Sequence, residues 1–143
     1  MDILPASLRD LSSLYQLEHA SFPDDAWPLL DLIAVLTYPG VVRRKAVVDG
    51  RIVGFIAGDP RPAQGMAWIA TLAVLPAFRR RGIAKALLEV CEAHLHLPCI
   101  RLCVRTSNRA AIHLYQQMGY SIIDTWQRYY KDGESAVVME KIK

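Results

Sequence analysis

Residues 65–107 constrain this chain more than any other stretch. They read "GMAWIATLAVLP", "AFRRR", "GIAKALLEVCEAHL" and, three residues later, "CIRLCVRTS". The first segment is β-rich, almost wholly apolar and stopped by Pro76, the pattern of a strand covered on both faces. The third sets Ile83, Leu87, Leu88, Cys91 and Leu95 along one helical stripe. The fourth alternates Ile100, Leu102 and Val104 with Arg101, Cys103 and Arg105, as a strand does. A strand, a helix and a strand of these lengths predict a right-handed crossover joining two parallel strands of one sheet.

The flanks extend that unit. Asp2 to Pro5 predicts a first strand, and "LRDLSSLYQLEHASF" a helix with Leu8, Leu11, Leu14 and Tyr15 at helical spacing. "PLLDLIAVLTYPG" predicts a second helix ended by Pro39 and Gly40. "KAVVDGRIVGFIAGDP" is a hairpin signal, because Asp49-Gly50 accepts the positive φ angles of a tight primed turn. After the crossover, "NRAAIHLYQQMG" predicts a helix capped by Ser107 or Asn108 and closed by Gly119. The remainder reads as two strands around a second turn at Asp132-Gly133.

The expected class is therefore α/β in the broad sense (α+β): a mixed, mostly antiparallel sheet flanked by helices, with one parallel pair. At 143 residues the expectation is one domain, 1–143. A formal net charge of +3 is too small and too scattered to predict nucleic-acid binding. No apolar run reaches the roughly 18 residues of a membrane span, and the N-terminus does not read as a signal peptide, so a cytoplasmic protein with no membrane partner is expected. Cys91, Cys99 and Cys103 lack paired spacing and are expected as buried, reduced thiols. His19, His94, His96 and His113 show no ligand spacing, so no metal is expected.

The segment between the long strand and its helix carries the first chemical signal. Ligands in open sheets sit beyond the carboxyl ends of parallel strands, where helix N-termini present unpaired N–H groups. Arg79, Arg80 and Arg81 occupy that position, and Gly82 and Ala84 are small enough for a phosphate oxygen to approach the backbone. Taken alone, the arginines fit a solvated charge cluster as well as an anion site; the strand and helix that bracket them favour the anion site.

Arg79-x-x-Gly82-x-Ala84 resembles the acetyl-CoA pyrophosphate loop of the GNAT acyltransferase superfamily, and "VRTSNRAAIHLYQQMGY" resembles the motif that follows it. "LEHASFPDDAWP" and "RYYKDGESAVVM" are similar to segments of the RimI-type branch, whose members acetylate the N-terminus of a ribosomal protein. The resemblance implies a sheet whose parallel strands splay around the cofactor, acetyl-CoA as co-substrate, and an amine acceptor, most simply a protein or peptide N-terminus. A small-molecule amine acetyltransferase and a catalytically silent acyl-CoA-binding protein are the alternatives, each as monomer or homodimer.

By the same resemblance, backbone groups of Leu72, Ala73 and Val74 hold the pantetheine arm, with the Val74 N–H on the thioester carbonyl. Arg79, Arg80, Arg81, Gly82, Ile83 and Ala84 wrap the pyrophosphate. Asn108 bonds the pantetheine, and Tyr115 protonates the departing thiolate. Trp27, Tyr129 and Tyr130 are candidate walls of a peptide groove, and Asp24 and Asp25 candidate attractors of a cationic terminus. The pattern breaks at the base: where the branch carries a glutamate, this chain has Cys103, and "WIATLAVLP" has no acid either. Cys103 could serve as a thiolate base or carry an acyl intermediate, but an apolar setting raises a thiol's pKa, so direct attack assisted by a water chain is expected. At pH 7 an α-amine of pKa ~8 is roughly a tenth neutral and a lysine near ~10.4 a few parts in ten thousand, a difference of about 3 kcal/mol that favours the α-amine.

Overall fold

The structure, a computed structural model, describes residues 1–143. The strands are β1 (Asp2–Pro5), β2 (Val42–Val48), β3 (Arg51–Arg61), β4 (Met66–Val74), β5 (Cys99–Arg105), β6 (Ser121–Trp126) and β7 (Ala136–Ile142). The helices are α1 (Leu11–Ser21), α2 (Leu29–Thr37), α3 (Ile83–His94) and α4 (Arg109–Gln117). Hydrogen bonding orders the strands β1-β2-β3-β4-β5-β7-β6 in a seven-stranded, mostly antiparallel sheet. The β4–β5 ladder is the parallel pair that the crossover demanded, with Met66 opposite Cys99 and Trp68 opposite Arg101. Residues gather into two compact units: Met1–Pro60 with Ala70–His96, and Arg61–Ile69 with Leu97–Lys143.

In the first unit, the two faces of β3 explain its sequence. Phe55 and Ala57 join Leu14 and Leu17 of α1, Leu32 and Leu36 of α2 and Ala73 of β4 in one buried cluster. The alternate positions Gly54 and Gly58 take the other face, as period-two side-chain placement requires. A Cβ at Gly54 would stand 2.9 Å from Leu87 Cδ1, and one at Gly58 2.8 Å from Cys91 Sγ. The glycines thus let the predicted α3 stripe, buried at Ile83, Leu87, Leu88, Cys91 and Leu95, lie directly on the strand. Asp49 and Gly50 adopt φ of 50° and 75°, the mirror-image turn read from the sequence. The face of α1 differs from expectation. Leu8 and Tyr15 are exposed, while Leu14, Leu17 and Glu18 are buried, because the cluster with α2 selects a stripe rotated from the one that Tyr15 suggested.

In the second unit, β5 alternates as predicted: Ile100, Leu102 and Val104 are buried and their neighbours half-buried. Its antiparallel partner β7 supplies buried Ala136, Val137, Val138 and Met139. Edge strand β6 is exposed along its whole length. Residues 127–135 form a longer connection between β6 and β7 than the tight turn expected at Asp132-Gly133. Of that pair only Gly133 has positive φ, and the Asp132 carboxylate instead accepts the Glu134 N–H at 3.1 Å. Cys91 alone of the free thiols is buried; Cys99 and Cys103 are half-buried, because β5 turns those positions away from the core.

Candidate active site

The site residues read from the sequence divide between the units. The first unit holds Leu72, Ala73, Val74 and Arg79 to Ala84; the second holds Cys103, Asn108 and Tyr115.

In the first unit, β4 ends at Val74 and a 3-10 turn at Pro76–Phe78 leads to the arginines. Arg79 folds back, its Nε donating to the Val74 carbonyl at 3.2 Å. Arg81 stacks on the Phe78 ring with its guanidinium carbon 5.0 Å from the centroid, and Arg80 adopts a positive φ of 64°. Gly82 follows at φ 78°, a conformation that a side chain strains, and is the N-cap of α3 with no side-chain cap bond. A Cβ at Gly82 would meet nothing within 4 Å, so glycine is required there by backbone conformation and not by packing against the protein. The first N–H groups of α3 have no partner within the helix, and with the positive helix end they suit an anion such as a pyrophosphate.

In the second unit, α4 opens differently. Asn108 caps it, its Oδ1 accepting the Ala111 N–H at 3.2 Å, which leaves the amide N–H groups as donors. Tyr115 is buried at 8% exposure, edge-on to Tyr120 with centroids 5.9 Å apart. Burial, and secondarily Tyr130, push its pKa up to about 12, so the phenol holds its proton at neutral pH. Burial likewise raises the Cys103 thiol to about 11, which keeps it from serving as a thiolate base near pH 7.

Two glutamates outside the expected set shape the site. Glu134 accepts the Ser107 N–H at 2.8 Å, the Thr106 hydroxyl at 3.2 Å and Arg105 Nη1 at 2.8 Å, so the tail segment fastens the loop that launches α4. Hydrogen bonds from Ser107 and Arg105 hold its pKa down to about 2. Arg105 also reaches Asp132 at 2.9 Å and lies over the Tyr130 ring at 4.2 Å. An aromatic series continues from Tyr130 through Tyr129 to Trp126 and Trp68. Trp27 and Asp25 are half-buried and Asp24 is exposed, all in the first unit.

Glu18, on α1, is fully buried, its Oε1 accepting the Thr71 hydroxyl at 2.7 Å, while its Oε2 has no partner. Burial raises its pKa against the opposing Thr71 bond and His19 charge. The signal was in the sequence: Leu14, Leu17 and Glu18 share a helical stripe, which puts a carboxyl on the apolar face. The histidines His19 and His94 bond backbone carbonyls of their own helices, and no group of three His, Cys, Asp or Glu is arranged to hold a metal ion. No helix is long and apolar enough to cross a membrane.

Residues 9–120 match the profile of the Acetyltransferase (GNAT) family. The chain is 32% identical, over 99% of its length and 85% of the relative's, to the N-terminal acetyltransferase A complex catalytic subunit ard1 of Schizosaccharomyces pombe. It is 35% identical, over 100% of its length and 92% of the relative's, to an uncharacterised N-acetyltransferase of Methanocaldococcus jannaschii. Among solved structures, the ribosomal-protein-S18-alanine N-acetyltransferase of Escherichia coli superposes with a TM-score of 0.89 at 25% identity, covering 99% of this chain and 92% of that one. Ard1 of Thermoplasma volcanium superposes at 0.82 and 30% identity, covering 99% and 96%.

Proposed function

This chain belongs to the acetyltransferase (GNAT) family and is an N-acetyltransferase, and from that premise we propose that it moves the acetyl group of acetyl-CoA onto a protein or peptide N-terminal α-amine. The observation that carries the cofactor half is the start of α3: an uncapped helix N-terminus behind Gly82 at φ 78°, directly after β4 and its arginines. The acceptor half is supported by relatives named as N-terminal and N-alpha-acetyltransferases that align with nearly the whole chain. All 143 residues are read as one such domain, cytoplasmic, working as monomer or homodimer; light scattering separates the two states.

The residues proposed to hold acetyl-CoA are Leu72, Ala73 and Val74, through their backbone, Arg79, Arg80, Arg81, Gly82, Ile83 and Ala84 at the pyrophosphate, and Asn108 through its amide. Of the arginines, Arg80 and Arg81 add charge, while Arg79 is already bonded to Val74. The Val74 N–H polarises the thioester carbonyl, since a fixed backbone donor is worth most where negative charge develops. Tyr115 keeps its proton at neutral pH and donates it to the leaving thiolate. With Cys103 held as a neutral thiol, no side chain at that position removes the amine proton, and the acceptor attacks in its neutral form.

Purified protein, acetyl-CoA and paired peptides with free or blocked N-termini, each with and without an internal lysine, test the reading by thiol release and mass spectrometry. Acetylation is expected on free N-termini, with a pH profile that follows the acceptor amine. Exclusive modification of lysine would overturn the acceptor assignment. Tyr115→Phe is expected to lower kcat about 100-fold with coenzyme A affinity kept, and full turnover in that variant would remove its role. The protonated Cys103 favours one second reading, a silent acyl-CoA-binding protein, which predicts binding by calorimetry without thiol release.

A further inference from the structure

A buried carboxyl on a helix already anchored by Leu14 and Leu17, both essentially unexposed, needs an explanation. An apolar side chain of similar size would pack there without the cost of desolvating a carboxyl. What Glu18 has that a leucine lacks is its acceptor, and the acceptor is used on β4, at the Thr71 hydroxyl 2.7 Å away. One turn further along α1, the Ser21 hydroxyl donates to the Val74 carbonyl at 3.3 Å. Arg79 Nε donates to that same carbonyl from the other side of the sequence at 3.2 Å. The next residue, Leu75, donates its N–H to Val53 O at 2.9 Å.

These ties bracket the three residues Leu72–Val74. Thr71 fixes the strand just before them, and the doubly bonded Val74 carbonyl fixes the peptide plane just after. The adjoining peptide plane carries the Val74 N–H. Backbone donors aid catalysis in proportion to how little they must reorganise, and a displacement of about 1 Å can cost a hundredfold in rate.

We propose that Glu18 is a positioning residue for acetyl transfer: through Thr71, and together with Ser21 on the Val74 carbonyl, it clamps the end of β4 so that the Val74 N–H is held ready for the thioester carbonyl. This rests on the acetyl-transfer reading above. The clamp uses Oε1 only as an acceptor, so a glutamine at the position preserves it and an apolar residue of the same length does not. Thr71→Val removes the donor with almost no change of shape.

The experiment compares Glu18→Gln, Glu18→Met, Thr71→Val and the Glu18→Met/Thr71→Val double variant. Its readouts are steady-state kinetics with acetyl-CoA and an N-terminal peptide, melting temperature, and backbone ¹⁵N relaxation in the ligand-free protein. Glu18→Met and Thr71→Val are each expected to lower kcat about tenfold, the double variant no further, with KM and coenzyme A affinity within about twofold. Glu18→Gln is expected to stay within about twofold of wild type. Order parameters at Leu72–Val74 should fall from about 0.85 toward 0.6 in the first two variants and hold in Glu18→Gln. Loss of kcat in Glu18→Gln as well would make Glu18 an acid–base group and overturn the positioning role. Altered melting with unchanged kcat and unchanged order would reduce the contact to a plain structural tie and also overturn it. If the wild type transfers no acetyl group, the functional reading falls, while the relaxation arm still decides whether the clamp exists.

Discussion

Glu18 and Glu134 are the same residue in opposite surroundings. Glu18 lies at 0% exposure on the inner face of α1, with one hydroxyl partner and a bare second oxygen, and its pKa is raised. Glu134 lies half-buried in the β6–β7 connection and takes a backbone N–H, a hydroxyl and a guanidinium, and its pKa falls to about 2. Desolvation dominates the first and donors to the anion dominate the second. Each fastens a segment that bears site residues, β4 in one unit and the start of α4 in the other. A carboxyl can therefore organise a site either from the dry interior, where desolvation disfavours its charge, or near water as an anion held by donors, and water access decides which.

The contrast breaks most violently at Glu18→Lys. A cation forced into the α1–β4 packing, with Thr71 as its neighbour, should destabilise the protein on the order of 4 kcal/mol, seen as a collapse of the urea midpoint. Next in size is Arg105→Met, which removes the cation from Asp132 and Glu134 and the stacking on Tyr130. The stacking alone is worth about 1 kcal/mol, and hydrogen exchange at Ser107 should speed up.

The pH dependence sharpens the comparison without breaking the fold. Glu18 binds its proton more tightly folded than unfolded, so its contribution is present below the ordinary value of 4.5 and is lost as pH rises through the raised pKa. Glu134 binds its proton less tightly folded, so its contribution is present above 4.5 and is lost as pH falls through about 2. The melting-temperature advantage of wild type over Glu18→Gln should therefore grow as pH falls toward 4.5, and that over Glu134→Gln should shrink from about pH 5 to about pH 2. Slopes of the same sign would contradict the assignment. The smallest effect belongs to Arg101→Met. The Arg101–Glu140 pair at 2.7 Å is partly exposed and adds no backbone bond, so its loss should cost about 0.5 kcal/mol by thermal melts.

Periodicity carried much of the fold. The α3 stripe and the β5 alternation appear in the structure residue for residue, because a helix or strand with one apolar face can bury only that face. The glycine before α3 was legible for a related reason: Gly82 opens an amphipathic helix at φ 78°, a conformation that favours glycine. The face of α1 was not legible, since Leu8, Leu11, Leu14 and Tyr15 form as good a stripe as Leu14, Leu17 and Glu18 until α2 chooses between them. The β6–β7 turn was misplaced for want of its partners: Asp132 and Glu134 answer to Arg105, some thirty positions away in the chain.

The sequence by itself determined the parallel β4–β5 pair, the helix that crosses between them, the glycine that starts it and the family to which these belong. Those features depend on local spacing and on conformations only certain residues adopt. Tertiary structure alone decided that Glu18 meets Thr71 across 53 positions and that Glu134 secures Ser107. Each of these turns on dielectric surroundings and on partners distant in the chain, and neither is encoded in the spacing of neighbouring residues.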